Sequence, residues 1–92
     1  MWKIKQDTNK NNVIQQIKNA LDELPQKINE IIEFNVGINI ISSDRAYDLT
    51  LVSLFKSVET LKAYQEHPDH KIVGKLIKKH TLAAAVVDYE IT

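Results

Sequence analysis

The spacing of apolar residues divides the chain into stretches that predict strands and helices. The first five residues alternate apolar and charged side chains, which predicts a short strand with Trp2 and Ile4 on its buried face. Over residues 10–24 the apolar positions recur at steps of three and four, as in a helix with one apolar stripe. Because Pro25 disfavours the α conformation in the residue before it, this helix should end at Leu24.

The middle of the chain alternates with period two, which predicts two long strands over residues 31–41 and 47–55. The polar residues 42–46 between them are short enough for an antiparallel hairpin. The first of these strands is expected to have a dry face made of Ile32, Phe34, Val36, Ile38 and Ile40. The second carries Tyr47, Leu49, Leu51 and Phe55 on one face.

The last third of the chain returns to helical spacing and then to a final strand. Ser57 is a favourable N-cap for a helix whose apolar stripe includes Tyr64. Pro68 interrupts this stripe and suits the first turn of a further helix. Residues 81–91 are mostly small or β-branched and predict a closing strand. The order β-α-β-β-α-β predicts an α+β, ferredoxin-like subunit, with an antiparallel four-stranded sheet and two helical segments on one of its faces.

The composition of the other face of this sheet indicates that a second copy of the chain covers it. It is expected to carry Asn35 and Gly37 from the second strand and Val52 from the third. The last strand offers it either Leu82, Ala84 and Val86 or the small Ala83 and Ala85. Because a face of small and apolar residues is costly to leave in water, we expect two copies of the chain to pack sheet against sheet as a homodimer.

Composition narrows the class of protein. The 92 residues are enough for one domain, residues 1–92, and the lack of cysteine excludes a disulfide-stapled fold and a thiolate metal site. The same lack fits a reducing compartment, so a cytoplasmic location is expected. Twelve basic residues balance twelve acidic ones, which argues against a nucleic-acid-binding surface. No apolar run is long enough to cross a membrane.

The densest cluster of reactive side chains lies between Tyr64 and His70. His67 and His70 have the spacing of two metal ligands on one helix, but Pro68 breaks the helix between them. We therefore interpret His67 as a helix cap and expect no metal. An imidazole beside a tyrosine can instead transfer protons next to a carbonyl without a cofactor, with His70 as base and Tyr64 as hydrogen-bond donor. The alternative is that Tyr64 only fills the helix stripe.

A basic run follows this cluster and consists of Lys71, Lys75, Lys78 and Lys79. We interpret it as a solvated helix face, with binding of an acidic partner or a phosphate as the alternative. The chain has no glycine-rich phosphate-binding loop.

Several segments of the sequence together resemble one protein family. They are Trp2-Lys3-Ile4-Lys5, Tyr47-Asp48-Leu49, Ser57-Val58-Glu59-Thr60-Leu61, Tyr64-x-x-His67-Pro68-x-His70 and Val87-Asp88-Tyr89. In this order, along essentially the whole chain, they are similar to the stress-responsive A/B barrel domain family of the dimeric α/β-barrel superfamily. The Tyr-x-x-His-Pro-x-His segment is the most specific of them.

The resemblance implies a ferredoxin-like subunit whose sheet pairs with a second copy to form a barrel. Many members of the family have no assigned reaction. In one plant branch, the cofactor-free polyketide cyclases, the tyrosine and the last histidine of the motif serve catalysis, and these match Tyr64 and His70. Leu49 stands where the cyclases carry a histidine on the third strand.

Two functional hypotheses follow, beside a third class, a purely structural oligomer that needs only the dimer surface. The first is binding of a small apolar ligand, without a cofactor, in a cleft between helices and sheet where Tyr64 and His70 are the polar groups. Its other expected ligand-binding residues are His67, Trp2 and Leu49. The second is a cofactor-free cyclase or lyase that acts on a β-carbonyl compound.

Overall fold

The computed structural model of the protein describes residues 1–91 and contains four strands and four helices. In chain order they are β1 (Trp2–Ile4), α1 (Lys10–Asp22), α2 (Leu24–Lys27), β2 (Ile31–Ile38), β3 (Leu49–Phe55), α3 (Val58–Glu66), α4 (Pro68–His80) and β4 (Thr81–Ala84). The strands form one antiparallel sheet in the order β2-β3-β1-β4. This arrangement confirms the predicted ferredoxin-like α+β fold.

The core lies between the sheet and the helices. Its buried residues are Ile4, Ile14, Ile17, Leu21, Leu24, Ile28, Leu49, Tyr64, Val73 and Ile77. The first predicted helix is divided in two. α1 ends at Asp22, two residues before the predicted end at Leu24, and Pro25 then lies in the first turn of α2. The N–H groups of a first turn have no partner within the helix, so proline is tolerated there.

Within residues 1–91 no helix is both long and apolar enough to span a bilayer.

A β-bulge at the start of β2 changes which isoleucine faces the core. The pairing with β3 shifts between Ile31 and Glu33, so Ile31 packs against the core and Ile32 is 57% exposed. Phe34 and Val36 pack against the core as expected. The prediction that Ile32 belongs to the dry face was therefore wrong, because one extra residue reverses the alternation.

The strands are shorter than the alternation predicted. β2 ends at Ile38, β3 begins at Leu49, and β4 covers only Thr81–Ala84. The Ala85 N–H still donates to the Met1 carbonyl oxygen at 3.0 Å, just beyond the end of β4. Residues 86–91 lie outside the sheet, and their exposed apolar side chains are Val86, Val87, Tyr89 and Ile91.

The register of the sheet decides which β4 residues lie on each face. Trp2 stands opposite both Leu49 and Ala84, so these three residues share the face covered by the helices. Lys3 stands opposite Ala83, which places Ala83 on the open face. Of the two arrangements left open by the sequence, the one with small residues on the open face is therefore adopted.

Asp48 joins the start of β3 to β1 and α1. Its Oδ2 accepts a hydrogen bond from the Ile4 N–H at 2.7 Å, and its Oδ1 lies 3.3 Å from the Lys10 Nζ. Ile4 is only 2% exposed, so its N–H depends on a partner inside the protein. This role of Asp48 was not predicted from the sequence.

Candidate functional site

A cleft of about 380 Å³ opens between α4 and the strands β1 and β4. Most of its lining is aliphatic or small. The polar and charged side chains in the lining are those of Trp2, Tyr64, His70, Lys78 and Thr81. A mainly apolar cleft of this size with a few polar groups has the general character of a small-molecule site.

The break between α3 and α4 brings two of these side chains together. Ser57 begins α3 with a capping box in which its hydroxyl accepts from the Thr60 N–H. The backbone is extended at His67, which ends α3, and Pro68 begins α4. As a result, the ring of Tyr64 at the end of α3 lies 4.4 Å, centroid to centroid, from the imidazole of His70 in the first turn of α4.

The ring of Tyr64 belongs to the core, whereas its hydroxyl reaches the cleft. The ring packs against Phe34 and Phe55, at centroid distances of 6.0 and 4.9 Å, and the residue is 6% exposed. The hydroxyl forms no hydrogen bond within residues 1–91. Every fully buried side-chain oxygen in that part of the chain has a hydrogen-bond partner, so the Tyr64 hydroxyl is not fully buried and is open to the cleft. Burial raises the pKa of Tyr64 to about 12, so the hydroxyl is protonated at neutral pH.

The imidazole of His70 is held in one tautomer. Its Nδ1 lies 3.1 Å from the carbonyl oxygen of Gln65, and because a carbonyl can only accept, the Nδ1 of the neutral ring carries the proton. Burial lowers the pKa of His70, and the bond to Gln65 opposes this effect only in part. At neutral pH the ring is therefore uncharged, with the lone pair on Nε2.

The structure brings only some of the predicted site residues together. Trp2 lines the cleft with Tyr64 and His70. Leu49, at 1% exposure, is part of the core and does not line it. His67 also lies outside the lining and caps α4, with its Nδ1 accepting from the Asp69 N–H at 3.1 Å. The described residues contain no group of three or more His, Cys, Asp or Glu side chains placed to hold a metal ion.

Gly74 and Lys78 were not among the predicted site residues. Both line the cleft, and they follow His70 by four and eight residues on α4. Side chains at this spacing share one face of a helix. Counting in steps of four residues from His70 along the predicted helix would therefore have placed Gly74 and Lys78 on the same face as His70.

Comparison with known proteins supports the same fold. The family model described as Stress Responsive A/B Barrel Domain matches residues 1–91. No curated protein matches the chain significantly. A solved structure described as a dimeric protein of unknown function and ferredoxin-like fold from Bacteroides fragilis NCTC 9343 superposes with a TM-score of 0.86 at 31% identity. The match covers 98% of this chain and 89% of that chain.

Two further solved structures are described as dimeric ferredoxin-like proteins of unknown function. The one from Thermobifida fusca YX has a TM-score of 0.78 at 25% identity, covering 90% of this chain and 77% of that one. The one from Jannaschia sp. CCS1 has a TM-score of 0.79 at 24% identity, covering 99% and 93%, and shows the fold alone. Because the family model spans nearly the whole sequence, the chain belongs to the stress responsive A/B barrel domain family.

Proposed function

We propose that this protein is a homodimer that binds a small, largely apolar molecule in the cleft between α4 and the sheet. The observation that carries the proposal is the cleft of about 380 Å³, whose aliphatic walls enclose the two uncharged polar groups of Tyr64 and His70. Apolar walls supply the affinity of such a site, and a few polar groups orient the ligand. Trp2, the only tryptophan of the chain, lies in the same lining.

A substitution at Gly74 can test whether the ligand binds in the cleft. A Cβ at this position meets no atom within 4 Å, so a larger side chain there enters open space beside the cleft lining. We expect Gly74→Leu to block the cleft. Because leucine is a better helix former than glycine, by about 1 kcal/mol, the variant should be at least as stable as the wild type. Loss of binding would then not reflect loss of folding.

The test is a titration with naphthylpropanamide, a neutral apolar probe. Binding is monitored by amide proton–nitrogen NMR spectra and by Trp2 fluorescence. We expect saturable shifts at the backbone amides of Val73, Ile77 and Ala84 in the wild type and their loss in Gly74→Leu. Lys75→Leu, which adds the same side chain at an exposed position of α4, serves as the control and should bind as the wild type does. Equal binding by Gly74→Leu and wild type would contradict the proposal.

The dimer is assigned to the open face of the sheet. Val52 is 63% exposed there. Its neighbours on β2 are Asn35, its cross-strand partner, and Gly37, whose small or absent side chains do not cover it. The similar protein from Bacteroides fragilis is described as dimeric, which supports a homodimer. A second copy would remove the apolar part of this face from water.

A charge placed on the open face tests this assignment. We expect wild-type protein to have the mass of a dimer in light scattering at micromolar concentration, and Val52→Lys to have the mass of a monomer, because the interface would bury an unpaired ammonium. Ile72→Lys carries the same charge on the exposed side of α4 and should remain dimeric. A monomeric wild type would contradict the proposal.

Proton transfer is a second candidate function, favoured by the arrangement of His70 and Tyr64. The free Nε2 of His70 can take a proton from the carbon beside a carbonyl; the electron pair of that C–H bond forms a carbon–carbon double bond, and the π pair of the carbonyl moves onto its oxygen. The protonated hydroxyl of Tyr64 can donate a hydrogen bond to the resulting enolate oxygen. This chemistry needs no cofactor and suits a cyclase or lyase acting on a β-carbonyl compound.

The two candidates differ in whether a substrate is turned over. With a dioxoacyl thioester as the probe, an enzyme should form the cyclised product faster than the buffer does. His70→Gln should lower that rate by roughly a hundredfold or more, the usual contribution of a general base. If wild type and His70→Gln give the same rate while both bind the thioester, the protein binds without catalysis.

A further inference from the structure

The cleft contains one charged side chain and no carboxylate. Lys78 lies in the lining with Tyr64 and His70, and the lining includes no aspartate or glutamate. The salt bridges within residues 1–91 join other side chains and leave the Lys78 ammonium without an acidic partner. The cleft therefore has an uncompensated positive charge at its α4 wall.

The other polar groups of the lining do not compensate this charge. Tyr64 and His70 are both neutral at pH 7, for the reasons given above. Lys78 and the indole of Trp2 offer only hydrogen-bond donors, and Tyr64 has a hydroxyl proton to donate. The Nε2 of His70 and the hydroxyl oxygens of Tyr64 and Thr81 can accept hydrogen bonds, but none of them carries the negative charge that would offset the ammonium.

The C-terminal end of α4 is also close to the cleft, and free carbonyl groups there would carry partial negative charge. Three of these carbonyls are already hydrogen-bonded. Ile77 accepts from the Thr81 hydroxyl, Lys78 accepts from the Thr81 N–H, and His80 accepts from the Lys5 N–H at 2.9 Å. Each of these three carbonyls already has a donor, which lowers the partial negative charge that this end of α4 presents to the cleft.

The spacing along α4 also sets a length. His70 and Lys78 are eight residues apart on one helix, which corresponds to about 12 Å of rise. Gly74 lies midway and leaves the wall between them open. A ligand of roughly this length can contact Tyr64 and His70 at one end and reach the ammonium at the other.

We infer that the cleft takes an apolar molecule with an anionic oxygen group, a carboxylate or an enolate, and that Lys78 determines this preference by pairing with the anion. This inference rests on the proposed function and names the class of its ligand. It also assigns a specific role to one lysine of a basic run that otherwise has the pattern of a solvated helix face. Lys79, the next residue, does not line the cleft.

Naphthylpropanoate and naphthylpropanamide test the inference because they differ in charge and hardly at all in shape. At low ionic strength the wild type should bind the carboxylate about two- to fivefold more tightly than the amide, the range expected for an ion pair with an exposed lysine. Lys78→Met should bind the two probes equally. Lys79→Met, the matched control, should keep the wild-type preference.

The outcomes separate the inference from the proposed function. Equal binding of both probes by the wild type, or an undiminished preference in Lys78→Met, would overturn the role of Lys78 and leave the apolar cleft intact. If neither probe shifts the amides of the cleft in the wild type, or Gly74→Leu binds both as the wild type does, the proposed function fails and the inference fails with it. Added salt should reduce the preference for the carboxylate and leave amide binding unchanged.

Discussion

The Nδ1 of His70 and the carbonyl oxygen of Gln65 lie 3.1 Å apart across the break between α3 and α4. Gln65 is in the last turn of α3, where carbonyl groups have no partner within the helix. The bond therefore satisfies one of these carbonyls and holds the imidazole beside Tyr64. The position of the proton on the neutral His70 ring thus depends on the break between α3 and α4, which brings the imidazole to this carbonyl.

The first prediction concerns the titration of His70. Nitrogen NMR should show the proton of the neutral ring on Nδ1, and the pKa of His70 should lie below its ordinary value of 6.5 because burial disfavours the charged form. As the pH falls below 6.5, the unfolded chain binds a proton at this residue that the folded chain resists, so stability is lost. Between about pH 7 and pH 5, His70→Gln should lose less stability than the wild type. A His70 pKa above 6.5 would contradict the assignment.

The second prediction separates the hydroxyl of Tyr64 from its ring. Because the hydroxyl has no hydrogen-bond partner within residues 1–91, Tyr64→Phe should leave the free energy of unfolding unchanged within about 0.5 kcal/mol. Tyr64→Ala removes the contacts with Phe34 and Phe55 and should cost roughly 3–5 kcal/mol. Urea unfolding at fixed protein concentration measures both. A large loss in Tyr64→Phe would indicate a structural bond for the hydroxyl.

The third prediction concerns Asp48. Asp48→Ala leaves the buried N–H of Ile4 without its partner and should cost about 1–3 kcal/mol of unfolding free energy. Asp48→Asn keeps an acceptor oxygen and loses only the ion pair with Lys10, so it should cost less. Amide hydrogen exchange should show faster exchange at Ile4 in the alanine variant than in the asparagine variant. Equal exchange in both would argue against this hydrogen bond.

The fourth prediction tests the start of α3, which positions Tyr64. Ser57→Ala removes the hydroxyl that caps the Thr60 N–H and should cost about 1 kcal/mol. Ser42→Ala changes an exposed serine in the connection between β2 and β3, and its effect should stay within about 0.5 kcal/mol. Thermal and urea unfolding of the two variants give the comparison. Equal stabilities would mean that the capping box contributes nothing measurable.

Local pattern in the sequence determined the order of strands and helices and much of the core. Ile14, Ile17 and Leu21 are buried as the helical stripe predicts, because a helix turns its side chains by a fixed angle whatever surrounds it. The N-cap at Ser57 was likewise readable, since a cap depends on residues three positions away. The cluster of Tyr64 and His70 followed from its motif.

Only the tertiary structure decided the features that depend on distant residues. The bulge at Ile31 and the early end of β4 depend on which backbone groups a neighbouring strand offers, and no local period encodes that. The same holds for the bond between Asp48 and Ile4, which joins residues 44 positions apart. Gly74 and Lys78 became part of a site only when the fold placed α4 across a cleft from β1 and β4, because a cleft is the space left between elements whose separation is set by the whole core.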